Sequence, residues 1–438
     1  MDSASLSCAR LTGWTIGAVV LQILGLSLFV LGFFPVKPTL HGVSGSESYY
    51  KPKCDDVNVG QDSVANHRNL PPEELRSLYK ELSGIPPVFD RLIVMVIDGL
   101  PAEFVLGRDD LSPTKEMMES MPYIQALLSS GNAIGFHAKA APPTVTMPRL
   151  KAIVSGAIGG YLDVAFNFNT QAFHDDNLLA QFSYIGWKMI MLGDETWIKL
   201  FPDLFTRQDG VTSFFVKDTV DVDFNVSRHL KSELSADDWD LLILHYLGLD
   251  HVGHIGGRRC NLMMPKLKEM DEVIEKIHTS VILDDNNGSK QTLLMVVSDH
   301  GMTDNGNHGG SSYEETDSVA LFIRLGGHVP KSAPLKFQTI SQVDIVPTLA
   351  LLFSVPIPKN NVGVVLLEIL DFLTGVLYVS GLIRNVWYLF VIRKSYPLCN
   401  QYSNVYIFFL KQLNFIKNEG QCPNYKIENR NINRSKKK

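Results

Sequence analysis

The sequence predicts an α/β fold, a mainly parallel sheet with helices on both faces, preceded by one transmembrane helix. Apolar runs at residues 91–97, 187–192, 239–246, 292–297 and 318–324 alternate with helix-periodic segments at 121–128, 147–154, 176–182 and 262–282. That order is characteristic of a sheet built from crossover units. Several of the runs end at or just before carboxylate and imidazole side chains, and buried parallel strands carry their chemistry at such carboxyl ends. Residues 11–36 contain no charged side chain.

In chain order, a short N-terminal tail (1–10) precedes the uncharged stretch 11–36. About 20 apolar residues at ~1.5 Å each suffice to cross ~30 Å of hydrocarbon, so the stretch reads as an uncleaved signal anchor. Arg10 precedes it and Lys37, Lys51 and Lys53 follow, so the positive-inside rule does not orient it. The sequons Asn225-Val-Ser227 and Asn287-Gly-Ser289 are usable if the downstream region is luminal. Residues 37–86 read as a stem with a short helix over 71–82, opened by Pro71 and Pro72. Residues 87–357 form the expected catalytic domain. The remainder, 358–438, is a divergent tail in which 372–392 is a candidate second membrane segment, burdened by Arg384.

A net charge of -6 over 438 residues offers no electrostatic footprint for nucleic acid. The five cysteines, Cys8, Cys54, Cys260, Cys399 and Cys422, form no CxxC pair. They indicate neither a thiolate metal site nor a disulfide framework, although two of the last four could pair in an oxidising lumen.

The chemistry concentrates at four places: Asp98-Gly99 after the first run, Thr144-Val-Thr146 before an apolar helix, Asp250-His-Val-Gly-His254, and Ser298-Asp-His-Gly-Met302 followed by His308. Carboxylates mixed with imidazoles suit Zn²⁺ or a similar divalent ion. Asp98, Asp299, His300 and a threonine hydroxyl make one four-ligand set, and Asp250, His254 and His308 a second with an open position. Two ions about 3.5–4 Å apart could hold the entering and leaving oxygens of an in-line phosphoryl transfer. Thr144 or Thr146, at a helix N-terminus that favours anions, supplies the nucleophile once a metal lowers its pKa. His245, inside a strand, reads as a satisfied core histidine, and His251 as a residue supporting the ligands.

Asp98-Gly99, Pro143-Thr-Val-Thr146-Met-Pro148, Asp250-His-Val-Gly-His254, Asp299-His-Gly-Met302 and Asn307-His308-Gly309 resemble the metal and nucleophile motifs of the alkaline phosphatase superfamily. With Gly193-Asp-Glu-Thr-Trp197 and His308-Gly-Gly-Ser-Ser-Tyr-Glu-Glu315, the resemblance narrows to the GPI ethanolamine phosphate transferases, most closely the type acting on the second mannose. It implies an alkaline-phosphatase-like domain facing the endoplasmic reticulum lumen from its membrane. There, phosphoethanolamine would pass from phosphatidylethanolamine to a mannose of the GPI precursor through an intermediate on Thr146. By the same resemblance, two divalent ions, Zn²⁺ with Mn²⁺ as rival, would be held by Asp98, Thr146, Asp299 and His300 and by Asp250, His254 and His308. Asn167 would position phosphate, and Asp194, Glu195 and Trp197 would contact the acceptor or head group. A large multi-span region belongs to the family pattern and is not found in this sequence, so a partner membrane subunit is a further expectation. Two alternatives are a metal-dependent phosphodiesterase and a non-catalytic form that binds a partner or the GPI precursor.

Overall fold

The computed structural model describes residues 8–33, 39–49, 70–83, 87–108, 113–160, 163, 170–284, 290–325 and 338–374. Asn167, the second sequon, Cys54, Cys399, Cys422 and all of the tail after residue 374 lie outside the described residues.

Eight strands form one sheet: β1 (Arg91–Ile97), β2 (Ala133–Lys139), β3 (Met189–Asp194), β4 (Arg207–Val211), β5 (Leu241–Tyr246), β6 (Thr292–Val297), β7 (Asp317–Leu325) and β8 (Gln338–Ser341). Their spatial order is β4-β3-β5-β1-β6-β7-β2-β8. Only β7 runs against its neighbours, antiparallel to both β6 and β2. The mainly parallel sheet with helices on both faces is therefore observed as expected.

Every residue of β1, β5 and β6 is buried, which explains why their sequences are continuous apolar runs rather than alternating ones. Alternate side chains of β1 enter different cores. Leu92, Val94 and Val96 pack on one face with Met147, Leu150, Phe182, Ile345 and Leu349. Ile93, Met95 and Ile97 pack on the other with Val226, Leu230, Met263, Leu267 and Ile274. The helices Thr146–Ser155, Leu178–Tyr184 and Ile345–Leu352 thus cover one face, and Asp221–Leu234 and Met263–Asp284 the other.

Sequence reading missed β2, β4 and β8. β4 is the polar edge pentapeptide Arg207-Gln-Asp-Gly-Val211 with no fully buried residue, and β8 spans only four residues; neither has enough apolar alternation to stand out. β2 carries Gly135, where a Cβ would lie 2.7 Å from a Leu106 methyl and 2.9 Å from a Leu321 methyl. Close packing selected glycine there and removed the β-branched signal.

The first described helix, Cys8–Phe33, is the one described helix long and apolar enough to cross a membrane, and its Leu11–Val30 window is wholly exposed. Parts of the stem are stitched to the domain. Ser44 N donates to Asp176 Oδ2 (2.8 Å), Lys359 Nζ to the His41 carbonyl (3.0 Å), and Leu75 and Tyr79 of the Pro72–Ser83 helix are buried. The chain beyond residue 357 also stays on the domain to the end of its described part. Ile369, Leu370, Phe372 and Leu373 join the first core, and Arg324 Nη1 donates to the Leu373 carbonyl at 2.8 Å. Of the candidate membrane segment 372–392, Phe372 and Leu373 pack in the core, and its residues beyond 374 lie outside the described residues.

Candidate metal centre

The three central strands β5, β1 and β6 end side by side, and their carboxyl ends build the site. Asp98 follows β1, Asp299 and His300 follow β6, and β5 leads through Leu247 into the helix Gly248–Gly256, which carries Asp250 and His254 one turn apart. Gly99 turns the chain with φ +69°, where a Cβ would stand 2.8 Å from Asp250 Oδ1. Only glycine allows both the left-handed backbone and the close approach of these strand ends.

The donor atoms converge in two groups. One atom each from Asp98, Asp299 and His300 lie within 4.8 Å of one another, as do atoms of Asp250, His300 and His308. His300 Nε2 is 3.5 Å from Asp98 Oδ1 and 3.2 Å from Asp299 Oδ2. His254 Nε2 lies 3.1 Å from both Asp250 Oδ2 and His308 Nε2. The His300 and His308 rings stack at 3.8 Å between centroids, so the two groups share a wall. The sequence placed His300 in one set and His254 in the other. In space His300 borders both groups, and His254 closes the second from its more exposed side.

Backbone carbonyls fix the tautomers. His300 Nδ1 is 3.0 Å from the Gly301 carbonyl and His308 Nδ1 is 2.8 Å from the Thr144 carbonyl. A carbonyl accepts only, so each Nδ1 carries the proton and each Nε2 turns a lone pair into the site, the pattern of metal-ligating histidine. Asp98 Oδ1, Asp250 Oδ1, Asp299 Oδ2 and His300 Nε2 are buried without a hydrogen-bond partner. Orphaned acceptors of this kind cost free energy unless a cation satisfies them, so the residues present fit divalent metal.

The electrostatics agree. Burial, then the like charges of Asp299 and Asp250, pushes the Asp98 carboxyl well above the usual carboxylate range. Burial pushes His300 down to about 4, against the pull of Asp299. Burial would also raise Asp250, but the hydrogen bond from His254 and the neighbouring His308 and His300 imidazoles hold it below that range.

Thr144 and Thr146 are sharply distinguished. Thr144 is fully buried; its Oγ1 donates to the Gly310 carbonyl (2.9 Å) and accepts from Gly309 N (2.9 Å). It ties the His308 loop to the loop that precedes Thr146. Thr146 opens the helix Thr146–Ser155, is half-buried, and turns Oγ1 to Asp98 Oδ2 at 3.4 Å.

The residues expected to contact the acceptor or head group make contacts within the chain. Asp194 is fully buried, and its Oδ1 accepts from Thr196 N (2.9 Å) and Thr196 Oγ1 (2.8 Å), starting the short helix Thr196–Leu200. Glu195 pairs with Lys199 at 2.6 Å. Trp197 is 1 % exposed, behind the site, and donates to His245 Nδ1 at 2.9 Å. His245 is buried and satisfied as expected, yet its Nε2 lies 3.3 Å from Asp98 Oδ2. His251 faces away from the ligands, between the Asp218 carbonyl (2.6 Å) and the Ser213 carbonyl (3.2 Å). One residue along a helix rotates the side chain by about 100° from its neighbour, which separates it from Asp250.

Three supporting residues escaped sequence reading. Arg149, 1 % exposed on the Thr146 helix, donates through Nε to Gln342 Oε1 (2.9 Å) and through Nη1 to the Ala141 carbonyl (2.6 Å). Gln342 Nε2 then donates to the Ser298 and Asp299 carbonyls, each at 2.8 Å. Asp223, fully buried beside Lys266, accepts from Leu247 N and Gly248 N at 3.0 Å each and so holds the start of the helix bearing Asp250 and His254. An arginine within an apolar helix was the available signal for Arg149; nothing local marks Gln342 or Asp223.

The family described as type I phosphodiesterase / nucleotide pyrophosphatase matches residues 170–327. Among curated proteins, the chain is 38 % identical over 355 residues to the Homo sapiens "GPI ethanolamine phosphate transferase 2, catalytic subunit", covering 81 % of this chain and 33 % of that protein. It is 39 % identical over 368 residues to GPI ethanolamine phosphate transferase 2 of Aspergillus fumigatus, covering 81 % of this chain and 43 % of that protein. The chain thus spans a third to two-fifths of these relatives. Among solved structures, it is similar to lipooligosaccharide phosphoethanolamine transferase A from Neisseria meningitidis, with TM-score 0.44 and 15 % identity over 62 % of this chain and 56 % of that one.

Proposed function

We propose that this chain, a relative of the GPI ethanolamine phosphate transferases of type 2 over four-fifths of its length, carries the catalytic domain of a phosphoethanolamine transferase with Thr146 as its nucleophile. The observation that carries the reading is the division of labour between two threonines. The hydroxyl of Thr144 is consumed in a buried loop tie, while that of Thr146 faces Asp98 at a helix N-terminus.

Asp98, Asp299, His300 and Thr146 would hold one divalent ion and Asp250, His254 and His308 a second, zinc first and manganese as its rival. Such ions lower the pKa of a bound hydroxyl and neutralise charge developing on phosphoryl oxygens. The chain supplies the rest. Thr146 Oγ forms a bond to phosphorus as the ester bond of phosphatidylethanolamine breaks, and the threonine proton ends on the departing diacylglycerol. A mannose hydroxyl of the GPI precursor, the second by resemblance, then forms a bond to phosphorus as the Thr146 Oγ–phosphorus bond breaks, and the mannose hydroxyl proton returns to Thr146 Oγ. The positive dipole end at the start of the Thr146–Ser155 helix favours the phosphoryl oxygens. The Arg149–Gln342 bridge holds that helix in register with the Asp299-His300 loop. The luminal face of the endoplasmic reticulum membrane is the matching location, with residues 11–36 as anchor and residues 87–357 as the core of the catalytic domain.

Labelled phosphoethanolamine trapped on the protein and located by peptide mapping tests the assignment. Label on Thr146 is expected, with complete loss in Thr146→Ala and its retention in Thr144→Ala that remains folded. Label on Thr144 or on neither threonine overturns it, and release of free phosphoethanolamine without glycolipid labelling indicates hydrolysis instead.

A further inference from the structure

We infer that Trp197 is a positioning residue for Asp98: its indole N–H sets the tautomer of His245, so that His245 donates to one carboxylate oxygen and the other is left for the metal group. The inference rests on the proposed metal role of Asp98 and adds to it a reason for the Trp197 motif, which the site chemistry leaves unused.

Donor and acceptor types dictate the tautomer. An indole nitrogen only donates. Trp197 Nε1 lies 2.9 Å from His245 Nδ1, so Nδ1 must accept and the imidazole proton belongs on Nε2. Nε2 is 3.3 Å from Asp98 Oδ2, the oxygen that Thr146 Oγ1 also approaches at 3.4 Å. Asp98 Oδ1 has no hydrogen-bond partner and lies 3.5 Å from His300 Nε2, inside the three-residue metal group. The two oxygens therefore have separate duties, and the carboxylate cannot rotate without giving up the imidazole.

Burial makes the arrangement strict. Trp197 is 1 % exposed and His245 fully buried, so water cannot replace a lost partner cheaply. The two rings meet edge-on, 6.5 Å between centroids at 77°, which aims the N–H into the ring plane of the histidine. β3 and β5 are paired neighbours, and the short helix bearing Trp197 follows directly from β3. Sequence separation of 48 residues becomes one hydrogen bond.

The test uses the full chain in detergent, with nitrogen-labelled histidine and, separately, zinc titrated against a chromophoric chelator. In metal-free wild type the His245 signals are expected to show an unprotonated Nδ1 and a protonated Nε2. Trp197→Phe keeps a smaller aromatic side chain but removes the donor; it should mix the tautomers and weaken zinc binding about 10-fold, the lower end of the range for supporting groups. His245→Gln, whose amide N–H can replace Nε2–H, should keep zinc affinity near wild type, whereas His245→Leu should lose about 10- to 100-fold. A protonated Nδ1 in wild type, an unchanged tautomer in Trp197→Phe, or equal losses in the Gln and Leu variants overturns the inference. If wild type takes up no zinc, the metal reading fails, and the tautomer measurements still decide the role of Trp197.

Discussion

At the scale of single residues, several buried charges among the described residues are paired, and Asp317 shows what a paired one does. It is 1 % exposed and accepts from Lys139 Nζ at 2.8 Å, with His137 Nδ1 at 2.9 Å. Burial alone would raise its pKa, but the hydrogen bonds from His137 and Lys139 hold it below the ordinary carboxylate value. A carboxyl lowered on folding stabilises the fold above its unfolded value, about 4, and the contribution disappears as pH falls through the lowered folded value. Unfolding midpoints measured from pH 6 down to pH 3 are therefore expected to fall on the acid side, and Asp317→Asn should flatten that part of the slope. A variant with the wild-type acid slope would show that other carboxylates govern it. The residues of the two candidate groups stood out in the sequence because Asp98, Asp299 and His300 follow apolar strands and Asp250 and His254 sit at a helical spacing, while His308 lies in the loop after them. Their supports were not legible as such: Trp197 stands out only by resemblance and for another contact, and Gln342 and Asp223 not at all, because they act on groups 48, 43 and 24 residues away, and no local pattern encodes such distances.

At the scale of elements, strand identity was legible at β1, β3, β5, β6 and β7, and obscure at the buried but glycine-bearing β2, the polar edge β4 and the brief β8. The helix Gly248–Gly256 shows how an element is tuned beyond its ligand spacing. A Cβ on Gly253 would lie 2.7 Å from Met302 Sδ, and the Gly253 carbonyl presses on Gly306 so closely that a Cβ there would be 1.9 Å away. The helix approaches the loop between Asp299 and His308 with glycine on both sides of the contact. Gly306, at φ +75°, cannot carry a side chain without strain as well. Gly306→Val is expected to displace this helix from the loop. It should lower stability by about 1–3 kcal/mol, the usual cost of overpacking, and weaken zinc binding through Asp250, His254 and His308 together. A chelator titration beside a thermal melt checks both, and full zinc affinity in a folded Gly306→Val protein would disprove the coupling.

At the scale of the whole molecule, the domain and the N-terminal apolar helix answer to different physics. Leu11–Val30 is wholly exposed, so it contributes no packing to the domain, whereas residues 39–49 and 355–374 are bound to it by buried side chains and backbone hydrogen bonds. Removing residues 1–36 should therefore leave stability within about 0.5 kcal/mol, as for changes away from packed groups, while releasing the chain from carbonate-washed membranes. The proposed reaction also divides. Its first half needs Thr146, the metal groups and a phosphatidylethanolamine head group, all of which the described residues can address. Its second half needs a glycolipid acceptor brought to the same phosphorus, and the chain spans only 33 % of the human relative. In cells lacking the corresponding activity, the 438-residue chain is expected to take label onto Thr146. Mannose labelling is expected only when the chain is joined or supplemented by sequence from the longer relatives. Mannose labelling by this chain alone would show that the additional sequence is dispensable for presenting the acceptor. No label on the protein, with zinc bound in full, would remove the nucleophile assignment and leave a metal-binding domain whose reaction must be sought among hydrolyses.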